Sequence, residues 1–140
     1  DWMAANRKRV ADATGGRVGY IHVPDTSIPG IIEFDKALNA QLDKDGIIVD
    51  ERYNQGGNIP DFYTEKLKRQ LLAVIAARDT KDIPWPPVAI YGPKIMIVNE
   101  LAGSGGANPN TDWVADRNDP YLRGWVVTNT GTKTMRSMVS

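Results

Sequence analysis

The chain has 140 residues, a length typical of one domain, and its 41% hydrophobic and 24% charged residues are typical of a globular protein. Seventeen basic residues balance 17 acidic ones, and this balance gives no indication of a surface for nucleic acid or anionic membranes. The absence of cysteine excludes disulfides, thiol nucleophiles and thiolate metal sites, and a single histidine excludes a zinc site with two imidazoles from this chain. No apolar run approaches the ~20 residues of a membrane span. We expect one domain over residues 1–140, and because the sequence opens at Asp1 without an initiator methionine, we expect that domain to be partial.

Apolar spacing along the chain predicts helices that alternate with strands. Helical periodicity predicts helices over residues 1–13, 31–42 and 59–78, the first of them ended by glycines 15 and 16. Runs of β-branched and apolar residues predict strands over 17–23, 46–50, 94–98 and 125–128. Prolines assign residues 24–30 and 79–93 to loops, and the tail from residue 132 is polar.

This alternation predicts an α/β fold with a largely parallel sheet and flanking helices. In such sheets the functional groups gather at the carboxyl ends of the strands. Two of the predicted buried strands run directly into glycine turns, so the search for chemistry starts at those turns.

The first turn lies in residues 50–57, Asp-Glu-Arg-Tyr-Asn-Gln-Gly-Gly. The adjacent Gly56 and Gly57 allow a backbone amide to approach a ligand closely, as an oxyanion donor must. A plain left-handed turn explains the same pair equally well. No Gly-Lys-Ser/Thr element follows, which argues against a nucleotide-binding loop.

The second turn presents a serine between glycines. Ser104 follows a predicted strand and is flanked by Gly103 and Gly105, so its hydroxyl can be exposed on a tight turn with the next amides facing an oxyanion. Taken alone, a glycine-rich connection with a solvated serine is the simpler interpretation.

Together, three ordered blocks resemble the catalytic core of the tricorn-type proteases, in the carboxyl-terminal processing group of serine peptidases. The blocks are residues 17–25 (RVGYIHVPD), 48–57 (IVDERYNQGG) and 98–104 (VNELAGS), and the lead-in from Trp2 to Arg17 is also similar. The resemblance covers residues 1–106 well and the remainder poorly. It implies a crotonase-like or Clp-protease-like α/β core.

The resemblance also implies roles for particular residues. Ser104 matches the nucleophile, the amide of Gly105 matches one oxyanion donor, and Gly57 or, with less support, Gly56 matches the other. The family's catalytic histidine precedes the core and its acidic residue follows, so both are expected partly outside this chain. His22 lies in a strand block where the family also carries histidine, and we interpret it as structural, with a role in proton transfer at neutral pH as the alternative.

The resulting hypothesis is a serine endopeptidase core that hydrolyses peptides or unfolded polypeptide through an acyl-enzyme. The alternative is a non-catalytic peptide-binding or structural module of the same fold; a crotonase-like acyl-group enzyme is weaker, because no coenzyme A signature is present. We expect no cofactor, no metal, no nucleic acid and no membrane partner. Expected partners are the substrate and further copies of the chain or the remainder of a longer chain, in the cytoplasm or alternatively the periplasm.

Overall fold

A computed structural model describes residues 1–76, 78–99, 101–102, 126–129 and 135–137. In chain order the elements are α1 (Trp2–Thr14), β1 (Val18–His22), α2 (Ile28–Asn39), β2 (Gly46–Asp50), α3 (Pro60–Leu67), β3 (Ala73–Ile75), β4 (Ile83–Trp85), β5 (Lys94–Val98), β6 (Val126–Asn129) and β7 (Met135–Ser137). None of the helices among these residues is long and apolar enough to cross a bilayer.

Five strands form the main sheet in the order β1-β2-β5-β6-β7. The first four run parallel, and β7 returns antiparallel to β6 within the tail that the sequence had shown only as polar. The α/β fold with a largely parallel sheet is therefore confirmed. The strands predicted over 17–23, 46–50, 94–98 and 125–128 are also confirmed to within about two residues, the usual uncertainty of element ends.

Helix α1 has the ends that the sequence predicts. The Asp1 side chain accepts a hydrogen bond of 3.0 Å from the amide of Met3 at the start, and Gly15 closes the helix in the left-handed conformation with φ 61°. Its inward side is polar, since Asn6 is its buried residue and donates to the Tyr20 hydroxyl over 3.4 Å.

Helix α2 begins at Ile28, three residues before the predicted start, so the loop over 24–30 is shorter than expected. Pro29 fits the first helical turn, where no intrahelical acceptor is needed for its nitrogen. The Asp25 carboxylate accepts from the amides of Ser27 (2.8 Å) and Gly30 (3.3 Å), and it also accepts from the Ser27 hydroxyl. The hydroxyl contact, opposed by burial, lowers the pKa of Asp25.

The long helix predicted over 59–78 is wrong. Helix α3 ends at Leu67, and the chain then forms β3, which pairs antiparallel with β4. Leu71, Val74 and Ile75 lie within the range predicted as helix and have helical spacing, but they are about half exposed. The spacing of apolar residues cannot show whether another part of the protein covers the apolar face of a helix. The β-branched pair at 74 and 75 suits a strand equally well.

The loop predicted over 79–93 is wrong in part, because Ile83–Trp85 forms β4. Pro84 lies opposite Val74 in a ribbon of two strands, where both strands are edges. A proline without an amide hydrogen is tolerated at such an edge.

The hydrophobic core lies between the sheet and helices α2 and α3. It contains Phe34 and Leu38 of α2 and Tyr63 and Leu67 of α3, packed with Ile21, Val23, Ile47, Val49, Ile90 and Met96. Helix α1 contacts the opposite face through Tyr20 and His22. Within the described residues, helices thus lie on both faces of the sheet, as is typical of parallel sheets.

Candidate active site

Strands β2 and β5 bring the starts of the two glycine turns together. The register of the two strands pairs Val49 with Met96 and Asp50 with Ile97, so both strands end at the same edge of the sheet. Beyond the strands, the amide of Tyr53 donates to Asn99 Oδ1 over 3.0 Å. The segment that leads to Ser104 therefore starts against the turn that contains Gly56 and Gly57.

The predicted nucleophile and one predicted oxyanion donor, Ser104 and Gly105, lie outside the described residues. The structure thus describes the first turn in full and the second only as far as Ala102. Ala102 is held by a hydrogen bond of 3.1 Å from its amide to the carbonyl of Asn99.

The first turn is shaped by Asn54, which is fully buried. Its Oδ1 accepts from the amide of Gly56 over 2.8 Å, and its Nδ2 donates to Glu51 Oε2 over 2.6 Å. An asparagine that accepts from the amide two residues on forms an Asx turn. The amide of Gly56 is therefore already engaged, and such an amide is not free to bind an oxyanion.

Gly57 differs from Gly56 in this respect. Among the described residues, we find no acceptor for the Gly57 amide. Around it, Thr26 clamps the turn: its amide donates to the carbonyl of Gly56 (3.1 Å), and its own carbonyl accepts from the amide of Ile59 (3.0 Å). A Cβ at Gly57 would lie 2.8 Å from the nitrogen of Ser27 and closer still to the carbonyl of Thr26, so this close approach requires glycine.

A charged network at the end of β2 anchors the turn to the sheet. The Asp50 carboxylate is fully buried and accepts from Arg52 Nε (2.9 Å), Arg52 Nη2 (2.5 Å) and the Tyr20 hydroxyl (2.5 Å). Burial alone would raise the pKa of Asp50, but the hydrogen bonds from Arg52 and Tyr20 outweigh it and lower that pKa. Burial and the bond to Asp50 raise the pKa of Tyr20 to about 12. A carboxylate bonded in this way is a structural anchor for the turn.

Glu51 is the second buried acid and differs from Asp50 in its surroundings. It has no exposed surface, and its Oε1 has no hydrogen-bond partner among the described residues. Burial raises the pKa of Glu51 well above its usual value, opposed by the bond from Asn54 and assisted by the charge of Asp50. The folded protein therefore favours the neutral acid at this position.

His22 is held on the opposite face of the sheet from Glu51. Its Nε2 lies 3.1 Å from the carbonyl oxygen of Arg52, and since a carbonyl only accepts, Nε2 carries the proton. The ring meets the edge of Trp2 with centroids 5.3 Å apart. Its Nδ1 is buried and has no partner among the described residues. These contacts hold the His22 ring against the first turn, as a structural histidine requires.

Sequence reasoning missed the contribution of Thr26. Nothing in its local sequence indicates that it clamps a turn 30 residues away. For Asn54 a signal existed, because asparagine two residues before glycine is typical of an Asx turn.

The sequence and the fold of this chain are similar to those of known proteins. A tricorn protease from Thermoplasma volcanium is 41% identical over 105 residues, which cover 75% of this chain and 10% of the relative. Tricorn protease homolog 1 from Streptomyces coelicolor is 35% identical over 105 residues, with the same shares of each chain. The crystal structure of the tricorn protease matches with a TM-score of 0.71 at 36% identity, again over 75% of this chain and 10% of that one. No protein-family model matches the chain.

The fold thus places the chain with the α/β core that the solved structure of the tricorn protease contains. The resemblance indicated by the sequence motifs is confirmed: the chain is homologous to a segment of the tricorn-type proteases and shares their fold. It spans about a tenth of the length of these relatives.

Proposed function

We propose that this chain carries the nucleophile and oxyanion donors of a tricorn-type serine endopeptidase. Ser104 is the nucleophile: its hydroxyl oxygen attacks a peptide carbonyl, the amine product leaves, and water then hydrolyses the acyl-enzyme. The amides of Gly57 and Gly105 stabilise the negative oxygen of the tetrahedral intermediate. The base that takes the serine proton and the acid that orients this base come partly from outside the chain.

The observation that supports this proposal best is the geometry of Gly57. Its amide has no acceptor among the described residues, while the amides and carbonyls around it are bonded to Asn54 and Thr26. An amide held in a fixed loop at the carboxyl end of a parallel strand has the properties of a preorganised oxyanion donor.

The substrates that we propose are peptides or unfolded polypeptides, bound by strand addition beside the sheet edge. Activity requires further copies of the chain or further segments of a longer one, which supply the base and the acid. We propose the cytoplasm as its compartment, with the periplasm as the alternative; the absence of cysteine is compatible with both.

The test is labelling of the natural polypeptide that carries this sequence with a fluorophosphonate, followed by intact-mass analysis. We expect one adduct that disappears in Ser104→Ala and persists in the matched control Ser137→Ala. Labelling that persists in Ser104→Ala would remove Ser104 from the mechanism. Saturable peptide binding by a folded protein that takes no label would favour the non-catalytic peptide-binding module instead.

A further inference from the structure

A chain of hydrogen bonds runs from a buried carboxyl group to the double-glycine turn. Glu51 Oε2 accepts from Asn54 Nδ2 over 2.6 Å, and Asn54 Oδ1 accepts from the amide of Gly56 over 2.8 Å. The backbone supports the same geometry, since the amide of Asn54 donates to the carbonyl of Glu51 over 3.1 Å. These bonds hold Glu51 at two points and Asn54 at three.

The orientation of the next peptide group follows from these contacts. The carbonyl of Gly56 and the amide of Gly57 belong to one trans peptide, in which they point in opposite directions. Because the Gly56 carbonyl points to the amide of Thr26, the Gly57 amide points away from Thr26. With the Gly56 amide turned inward to Asn54, both sides of Gly56 are fixed, and the direction of the Gly57 amide is determined.

Glu51 determines which way round the Asn54 amide group lies. A side-chain carboxamide can present either its oxygen or its nitrogen to a neighbour. An acceptor at Glu51 requires the nitrogen on that side and so leaves the oxygen for Gly56. If the Asn54 carboxamide were reversed, its Nδ2 would face the amide of Gly56, and both groups are donors. The Gly56 amide would then be free to turn outward.

Glu51 lies in the core, where an acid is a costly choice if its side chain serves only to fill space. The side chain is fully buried. Its charge reaches the neighbouring Tyr63, whose pKa is raised by the burial of Tyr63 and, in second place, by the charge of Glu51. A hydrocarbon of similar length would pack there without the desolvation penalty of an acid. It would not, however, hold the amide group of Asn54.

We propose that Glu51 and Asn54 are positioning residues that orient the Gly57 amide toward the substrate carbonyl oxygen. Neither touches the substrate in this scheme; both act through the backbone of Gly56. This inference rests on the proposed function, because it requires Gly57 to be an oxyanion donor.

The test compares Glu51→Gln, Glu51→Met and Asn54→Leu in the natural polypeptide, with Glu33→Met as the matched control. Glu33 is an exposed carboxylate on α2, paired only with Lys36 among the described residues. Activity is measured as kcat and KM on a fluorogenic peptide amide and as the rate of fluorophosphonate labelling. Unfolding by urea is followed for each variant.

We expect Glu51→Met to lower kcat and the labelling rate by ~10-fold to ~100-fold, because the donor is misplaced and not deleted. KM should change less than about twofold. The stability should fall because the buried Asn54 Nδ2 loses its acceptor, and removal of the desolvation penalty of the buried acid should offset part of this loss. Glu51→Gln retains an acceptor for Asn54 and should restore most of kcat. Asn54→Leu should resemble Glu51→Met in kcat and serves as the test if Glu51→Met does not fold, while Glu33→Met should equal the parent.

Unchanged kcat in a folded apolar variant would overturn the inference, as would a loss that Glu51→Gln shares in full. A parent protein in which Ser104 takes no label would overturn the proposed function and the inference with it. Labelled Ser104 together with unchanged kcat in the folded apolar variants would overturn only the positioning role.

Discussion

Replacing Gly57 with alanine tests whether the close approach of the turn to Thr26 serves catalysis. A Cβ at this position would lie 2.8 Å from the nitrogen of Ser27, and ordinary van der Waals contact starts at 3.4 Å. The turn must therefore retreat by at least about 0.6 Å, and by more against the carbonyl of Thr26. That retreat breaks the contacts that hold the Gly57 amide in place.

Two magnitudes follow for Gly57→Ala. Overpacking of this kind costs ~1–3 kcal/mol of folding stability. A displacement approaching 1 Å in a catalytic donor lowers turnover by ~100-fold, and complete loss of the donor by ~100-fold to ~1,000-fold. We expect kcat and the fluorophosphonate labelling rate of the natural polypeptide to fall together. Urea unfolding should show a loss of ~1–3 kcal/mol in the free energy of unfolding.

The matched control is Gly15→Ala. Gly15 has φ +61° at the end of α1, and a Cβ there meets no atom within 4 Å. This variant should lose ~1–2 kcal/mol through backbone strain alone and keep its activity. If Gly57→Ala retained activity within about twofold while folding normally, the reasoning that makes its amide an oxyanion donor would be refuted.

Three further predictions concern the buried acids and the core. Since burial raises the pKa of Glu51, the folded state favours the neutral form of this side chain. The stability that this preference contributes is fully present below the unfolded pKa of ~4.3 and is lost as pH rises through the folded pKa. Glu51→Gln should therefore gain ~1.4 kcal/mol of stability over the parent for each pH unit in that window, and parallel curves in urea unfolding would contradict this. Arg52→Met leaves the buried carboxylate of Asp50 without its cation and should cost ~3 kcal/mol of folding stability at neutral pH. Because the pKa of Asp50 is lowered in the folded protein, the stability that the ion pair contributes is present above ~3.9 and is lost as pH falls through the folded pKa. The cost of Arg52→Met should therefore shrink at low pH, and a cost that is independent of pH would argue against the pair. Phe34→Ala removes a fully buried ring and should cost ~3–5 kcal/mol, whereas Ile28→Ala, at 64% exposure, should cost under ~0.5 kcal/mol; equal losses would show that the core is misplaced.

Local sequence was sufficient for the elements whose signals are local. The strand at 46–50 is a continuous apolar run, and helix α1 ends at a glycine that adopts the left-handed conformation. Alternation of such elements was enough to predict a parallel α/β sheet with functional groups at its strand ends. The two glycine turns could be found for the same reason.

The segment from 59 to 93 could not be predicted in this way. Its apolar residues have helical spacing as far as Ile75, yet Leu67 is the last of them in α3 that reaches the core. Whether an apolar side chain is buried depends on a neighbouring surface, and that surface is assembled from distant parts of the chain. The pairing of Val74 with Pro84 is likewise a contact between residues whose local signals favoured helix and loop.

For the site, the sequence by itself determined which residue types stand at the carboxyl ends of β2 and β5, and the family to which the motifs point. The resemblance had ranked Gly57 before Gly56, and only the tertiary structure gave the physical difference between them: the Gly56 amide is bound by Asn54, and Gly57 lies against Thr26. It also decided the contrasting states of the two adjacent acids, since Asp50 meets Arg52 and Tyr20 whereas Glu51 meets Asn54 within the core. Alternating side chains of a strand point to opposite faces of the sheet, so neighbours in the sequence enter different environments when the chain folds.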